Sequence, residues 1–202
     1  MRRISKLILD FFIIYTILQS KQEFVNNMKN SVKSKNYSLS FYSGKPITMT
    51  SIEGGLTGLQ SFIGFGNAVS KKVLTKVTNK STLLNLAYTV ENNCRIKEIT
   101  AVFKNNSPLF LLGTSVYVVF QIYCSENGKS FSKLEDSLCI LSPLYNGIFI
   151  PSTTVISKKM TDLDIELNKD TKILICFSIF SAGENLRNKI SGFANAEITF
   201  EE

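Results

Sequence analysis

Hydrophobic and polar residues alternate with a period of two along many short runs after residue 38. The clearest run is Leu84–Val90, where Leu84, Leu86, Tyr88 and Val90 share one face and polar or small residues share the other. Successive side chains of a β-strand point to opposite faces, so this alternation predicts a half-buried strand. No helical pattern of useful length follows residue 38.

The same pattern recurs between polar turns and predicts about ten strands. Many short strands with polar turns are typical of an all-β sandwich, jelly roll or barrel. Besides Leu84–Val90, the predicted strands are Ser38–Tyr42, Pro46–Ile52, Leu59–Phe65, Arg95–Lys104, Ser115–Cys124, Leu138–Leu141, Ile148–Ile150, Leu163–Leu167, Lys172–Phe180 and Ile190–Phe200.

Two of these strands are apolar on both faces, Ser115–Cys124 and Lys172–Phe180. A sandwich of two sheets buries one face of each sheet, so a second apolar face needs further cover. A second copy of the chain could supply that cover, which predicts an oligomer. The alternative is a central strand that lies under a long loop of the same chain.

The stretch Tyr42–Asn67 holds six of the eleven glycines. Glycine is used where the backbone needs a positive φ or where another chain segment approaches closely. Here the glycines separate β-prone runs and predict turns and bulges. The run Gly64-Phe65-Gly66 is not a phosphate-binding loop, because it lacks the lysine and the following helix of that motif.

The N-terminal segment, residues 1–36, has a different texture. Its basic start precedes an apolar run, Leu7–Leu18, which is shorter than the ~20 residues of a membrane-spanning helix and lacks a clear cleavage site. Apolar residues also recur every seven positions, a pattern that favours a coiled-coil stem. An uncleaved anchor or signal-like segment, a stem helix and a disordered arm all remain open. The seven-residue series is Ile4, Phe11, Leu18, Val25 and Val32.

The formal charge of +7 is unevenly distributed. Residues 1–38 contain seven basic and two acidic side chains, so they carry +5 and the remainder carries only +2. Nucleic-acid-binding proteins concentrate basic side chains on a folded face. A nearly neutral body therefore predicts no nucleic-acid partner, and membrane contact is considered only for the N-terminal arm.

Candidate chemistry is sparse. The chain has no histidine, which removes the commonest general base and metal ligand. Asp164 and Glu166 alternate with apolar residues and are expected on a solvated face, with a calcium site a distant second possibility. No GxSxG motif occurs. We therefore predict no catalytic residue, no cofactor-binding residue, no metal ligand and no enzymatic activity.

None of the four cysteines is spaced as CxxC, the spacing of zinc ribbons and thioredoxin-like motifs. Cys124 and Cys176 lie in apolar runs, where a free cysteine usually packs as a small hydrophobic residue. A disulfide or a cross-link between chains is the alternative. The other two are Cys94 and Cys139.

Several short pieces occur in a fixed order between Tyr37 and Glu202. They are Phe41-Tyr42-Ser43-Gly44-Lys45-Pro46, Thr48-Met49-Thr50, Gly54-Gly55-Leu56, Phe62-Ile63-Gly64-Phe65-Gly66, Leu86-Ala87-Tyr88-Thr89-Val90, Ile96–Phe103, Leu111–Thr114, Val118–Cys124, Thr171–Phe180 and Gly192-Phe193-Ala194. In order and spacing they resemble the C-terminal globular domain of collagen-like exosporium glycoproteins of the BclB type, from spore-forming bacteria. The chain differs from that family in having no Gly-X-Y repeat ahead of the head domain.

The resemblance implies an all-β jelly-roll sandwich of the tumour-necrosis-factor and C1q type that assembles as a homotrimer. We accordingly expect one head domain, residues 37–202, behind an N-terminal helical arm, residues 1–36. The expected function is a structural, self-assembling head at the spore surface, in the exosporium or outer coat, where other spore-layer proteins are possible partners. The alternative is a surface module that recognises a carbohydrate or a host ligand through loops of the jelly roll.

Overall fold

The computed structural model describes residues 35–72, 80–142 and 144–202. Within those ranges the chain forms fourteen strands, one short α-helix, α1 (Lys80–Leu84), and two 3-10 helices, Glu53–Gly55 and Glu135–Ser137. The strands are β1 (Asn36–Tyr42), β2 (Ile47–Ser51), β3 (Thr57–Ile63), β4 (Ala68–Lys72), β5 (Tyr88–Thr89), β6 (Cys94–Asn105), β7 (Leu109–Ser125), β8 (Ser132–Lys133), β9 (Cys139–Ile140), β10 (Tyr145–Ile150), β11 (Val155–Met160), β12 (Ile165–Leu167), β13 (Lys172–Gly183) and β14 (Lys189–Glu201).

The strands pair antiparallel and form one curled sheet. The order along the sheet is β10-β7-β13-β3-β2-β14-β6-β11, and β1 also pairs with β14. The backbones of Ser142 and Ser157 exchange hydrogen bonds of 3.0 and 2.9 Å, which brings the segment before β10 next to β11. The two ends of the sheet therefore approach each other. The all-β prediction is confirmed.

The inner faces of two four-stranded layers enclose the main hydrophobic core. One layer is β3-β13-β7-β10 and the other is β1-β14-β6-β11. Phe120 and Phe177 contribute from the first layer, and Phe103 and Phe200 from the second. The rings of Phe103 and Tyr145 lie 6.4 Å apart and join β6 to β10 across the core.

Most of the predicted strands occur where alternation indicated them, because one face of each is packed on this core. In β14 every second residue from Ile190 to Phe200 is buried, and in β13 Ile173, Ile175 and Phe177 are fully buried. Three strands, β4, β8 and β11, were not predicted. Only one residue of β11, Ile156, is buried, so the strand shows no clear alternation of apolar and polar residues.

The predicted strand Leu84–Val90 is wrong. The chain instead ends α1 at Leu84, turns, and forms only the two-residue strand β5. Leu83 and Leu86 are buried in a cluster outside the main core, whereas Val90 belongs to the main core. The spacing of three between Leu83 and Leu86 suits a helical turn over a sheet, and Leu84 is only half-buried.

The segment around α1 covers part of the outer face of β7 and β13. Leu83 and Leu86 pack in a second hydrophobic cluster with Tyr123, Leu174 and Cys176. A loop of the same chain therefore buries one end of the doubly apolar strands. The prediction that this whole face lacks cover within the chain is wrong at this end, and the loop alternative applies here.

Asn36–Glu202 forms one compact unit. Residues 1–34 lie outside the described part of the chain, so the helical arm, the coiled-coil stem and the anchor or signal-like segment stay predictions. The boundary between arm and head, placed at residue 36, stays a prediction as well.

Candidate functional site: an exposed apolar surface along β7

Four exposed apolar side chains cluster where β10 forms the end of the sheet. Phe110 and Leu112 from β7 and Ile148 and Phe149 from β10 have between 51% and 74% of their surface exposed. Phe149 pairs directly with Phe110 in the ladder, and their ring centroids are 5.2 Å apart. We call these four residues the edge patch.

A bulge shapes the edge patch. The pairing of β10 with β7 slips between Asn146 and Gly147, so that Asn146 pairs with Ser115 while Gly147 pairs with Leu111. The extra residues of β7 include Gly113, which has a φ of 60°. Bulges of this kind bend a strand and redirect side chains near sheet edges. The edge patch lies on one side of the bulge and the long paired part of β7 on the other.

A second apolar area continues along the outer face of β7 beyond the bulge. The rings of Tyr117 and Phe180 stack at 4.4 Å with an angle of 4° between their planes. Val119 pairs with Ile140 of β9, and Leu138 and Ile140 are exposed. A shallow cavity of about 240 Å³ lies over part of this area, and Val119, Leu138, Ile140 and Phe180 line it together with others that include Gln121 and Lys133. We call Tyr117, Val119, Leu138, Ile140 and Phe180 the outer-face patch.

Both patches have the chemistry of a protein interface. Exposed apolar clusters on soluble proteins mark contact sites, and aromatic side chains are enriched at the centres of interfaces. An unpaired sheet edge with apolar side chains also favours association with another chain. The arrangement offers surface for burial against a partner.

The edge patch was not predicted from the sequence. Two signals were available, the unbroken apolar runs Leu109–Leu112 and Ile148–Ile150. Because alternation is absent in these runs, they indicate strands whose outward side chains are apolar too. The doubly apolar character of Ser115–Cys124 pointed to the outer-face patch only.

The acidic residues Asp164 and Glu166 lie on a solvated face, as predicted. Arg95 contacts Asp164 at 2.8 Å and also pairs with Glu166, and Lys97 contacts Asp164 at 3.1 Å. Hydrogen bonds from Lys97 and Arg95 hold the pKa of Asp164 below its usual range. The cations occupy these carboxylate oxygens, so the carboxylates form a surface ion-pair network and not a vacant calcium site.

The four cysteines are free thiols. Cys94, Cys139 and Cys176 are buried, and Cys124 is half-buried. Burial raises the pKa of Cys139 to about 11, although the charge of Lys158 opposes this shift. Burial also raises the pKa of Cys94 and of Cys176. Thiols with raised pKa values are poor nucleophiles, and these three act as packing residues.

Two further findings concern the described ranges only. No group of three or more cysteine, aspartate or glutamate side chains converges there in an arrangement that could hold a metal ion. No helix in those ranges is long and apolar enough to cross a membrane.

Comparison with known proteins identifies no family. No protein-family model matches the chain, and no curated protein matches it. Among solved structures, the chain is similar to one of infectious bursal disease virus, Gt strain, with a TM-score of 0.38 and 9% identity over 85% of this chain. The chain spans about a third of that structure's chain, 33%.

A second solved structure is a bacterial lipoprotein from Bacteroides thetaiotaomicron. Its TM-score is 0.33 at 11% identity, and the match covers 83% of this chain and 84% of that one. At these values neither likeness bears on what the chain does.

Proposed function

We propose that this chain is a structural, self-assembling head domain of the outer spore layer, built as a jelly roll and assembled as a homotrimer. The observation that carries the assembly proposal is the exposed apolar surface formed by the edge patch and the outer-face patch. The assignment to the spore surface is supported by the sequence resemblance described above.

The nesting of strand pairs supports a jelly roll. The eight principal strands are β1, β3, β6, β7, β10, β11, β13 and β14. The first pairs with the last, the second with the seventh, the third with the sixth and the fourth with the fifth. A long antiparallel ribbon that wraps into two four-stranded sheets has this nesting, and a jelly roll is such a double sheet.

Two properties of the patches favour assembly: both are exposed and apolar, and they occupy different positions on the sheet. Apolar surface exposed to water is unfavourable by about 25 cal/mol per Å² relative to burial. The edge patch sits at a sheet end and the outer-face patch on a sheet face, so the two surfaces are not copies of each other. Contact between unlike surfaces of identical chains is heterologous, and such contacts close into rings when the rotation permits. A trimer is the ring that the resemblance implies.

Charge substitutions at two exposed apolar positions, one in each layer, test this proposal. Phe149 in β10 is 51% exposed in the edge patch, and Phe193 is 42% exposed on the outer face of β14 in the other layer. Phe149→Lys places a charge in the proposed interface, and we expect it to shift the full-length chain from trimer to monomer in sedimentation velocity. Phe193→Lys is the control, with unchanged assembly expected.

Ile140→Lys extends the test to the outer-face patch, where the same shift is expected. Circular dichroism verifies that each variant retains its β structure. If the Phe149→Lys and Ile140→Lys chains fold and still assemble as wild type does, the two patches are not the interface.

A further inference from the structure

A groove lined by both polar and apolar groups crosses the outer face of β1, β14 and β6, on the layer that does not carry the assembly surface. Its volume is about 470 Å³, within the range of ~300–1,000 Å³ that is usual for small-molecule sites. The side chains and backbone that line it belong to Ser40, Phe41, Tyr42, Thr100, Val102, Asn195, Ala196 and Glu197.

The register of the strands places the polar groups of the groove side by side. Tyr42 pairs with Asn195 across β1 and β14, and Ser40 pairs with Glu197 one row further along. Glu197 in turn pairs with Thr100 of β6. Neighbouring strands are about 4.8 Å apart, so an aromatic ring, an amide, a carboxylate and two hydroxyls share one small area.

Among the described residues, the polar groups of the groove differ from their neighbours on the same face in their hydrogen bonding. In the adjacent row, Ser38 Oγ and Thr199 Oγ1 hydrogen-bond at 2.9 Å, and Glu98 pairs with Lys159 at 3.0 Å. Within the described chain, the side chains of the groove make no hydrogen bond with another residue. Their donors and acceptors are therefore available to a ligand.

Two hydrogen bonds hold the backbone of Tyr42, and the residue lines the groove. Gly66 N donates to Tyr42 O at 2.9 Å, and Tyr42 N donates to Gly64 O at 2.8 Å. The Tyr42 ring lies about 3.0 Å from the position that a β-carbon of Gly66 would occupy, and 47% of the residue remains exposed. The absence of a β-carbon at Gly66 therefore leaves room for the Tyr42 ring.

We propose that this groove binds a neutral oligosaccharide of hexopyranose units. The C–H face of a pyranose is apolar and packs on an aromatic ring, while its hydroxyls donate to carboxylate oxygens and exchange hydrogen bonds with an amide. Tyr42 supplies the ring, and Asn195, Glu197, Ser40 and Thr100 supply the polar partners. Glu197 disfavours an acidic sugar, and the nearby Lys159 is already paired with Glu98.

The groove is independent of the proposed assembly surface. It lies on β1, β14 and β6, whereas the patches lie on β7, β9, β10 and β13, and β3 and β2 separate the two sets in the strand order. It also lies on a sheet face and not on the loops that the sequence led us to expect for a carbohydrate site. The test of saccharide binding and the test of assembly can therefore give opposite results.

Saturation-transfer-difference NMR with the full-length chain tests the proposal. The probes are cellotetraose, chitotetraose, mannotriose and lactose, and isothermal titration calorimetry measures the strongest. We expect saturable binding of at least one probe. Tyr42→Ala and Asn195→Ala should each weaken it about tenfold, as loss of a ring contact or of a bidentate amide predicts.

Two further variants separate the groove from general surface effects. Tyr42→Phe retains the ring and should bind within about threefold of wild type, because stacking does not need the hydroxyl. Leu56→Ala removes an exposed apolar side chain outside the groove and should leave binding unchanged. The proposal is overturned if no probe binds saturably, or if folded Tyr42→Ala and Asn195→Ala chains bind as wild type does.

Discussion

The backbone at Gly66 has a φ of +90°, and the Tyr42 ring lies where a β-carbon would project. Gly64 has an ordinary φ, but a β-carbon there would lie 2.5 Å from Asn67 Oδ1 and 3.2 Å from the Leu86 α-carbon. The sequence predicted turns and close approach in this stretch without saying which glycine served which purpose. Gly66 has both constraints, whereas Gly64 has close approach alone.

Gly66→Val should destabilise the chain more than Gly54→Val. Gly54 also has a positive φ, +77°, but nothing lies within 4 Å of its added β-carbon. The Gly54 variant therefore suffers only backbone strain, of about 1–3 kcal/mol. Overpacking against Tyr42 should add about 1–3 kcal/mol at Gly66. Urea unfolding measures both, and equal losses at the two sites would show that contact with Tyr42 is unimportant.

The ion pairs of Asp164 should make stability depend on pH in the acid range. Because the folded-state pKa of Asp164 is lowered, its contribution is fully present above its ordinary pKa of 3.8 and is lost as the pH falls through the lower folded value. The difference in unfolding free energy between wild type and Asp164→Asn should shrink over that window.

High salt should reduce the Asp164 effect at neutral pH, because the pair is exposed and therefore screened. Urea titrations at several pH values and two salt concentrations measure it. A difference that is independent of pH would contradict an electrostatic origin.

At the scale of elements, alternation located the long strands because each packs one face on a shared core. It failed at Leu84–Val90, where period-two spacing was coincidental and Leu83 and Leu86 are the residues that pack. It also missed β11, in which exposed side chains such as Ser157, Lys158 and Lys159 dominate. Pairing partners and bulges depend on contacts between distant segments, so local pattern could not predict them.

The segment around α1 should act as a removable cover over Cys176. Leu83→Ala deletes a side chain that is 1% exposed in the second cluster, which should cost about 2–4 kcal/mol. Local opening should also raise the rate at which a thiol reagent modifies Cys176, followed by mass spectrometry of the labelled peptide.

Leu56→Ala is the control for this experiment, because Leu56 is 66% exposed and a surface substitution changes stability by about 0.5 kcal/mol or less. Unchanged Cys176 labelling in Leu83→Ala would show that α1 does not guard this thiol.

At the scale of the whole molecule, the chain presents two kinds of outer surface. The layer with β7 and β10 carries the edge patch and the outer-face patch, whereas the layer with β1 and β14 carries the groove, where hydroxyls, an amide and a carboxylate lie beside Tyr42. The sequence predicted an oligomer from two doubly apolar strands. One end of those strands is covered by the chain itself, so the case for assembly now rests on the outer-face patch and on an edge patch that alternation could not indicate.

Sedimentation velocity of the full-length chain from nanomolar to micromolar concentration tests whether the chain assembles into a trimer. The chain has a mass of 22.6 kDa. We predict a species of three times that mass at micromolar concentration, which dissociates on dilution or when Phe149 is replaced by lysine. A single species of 22.6 kDa throughout the series would contradict a self-assembling head.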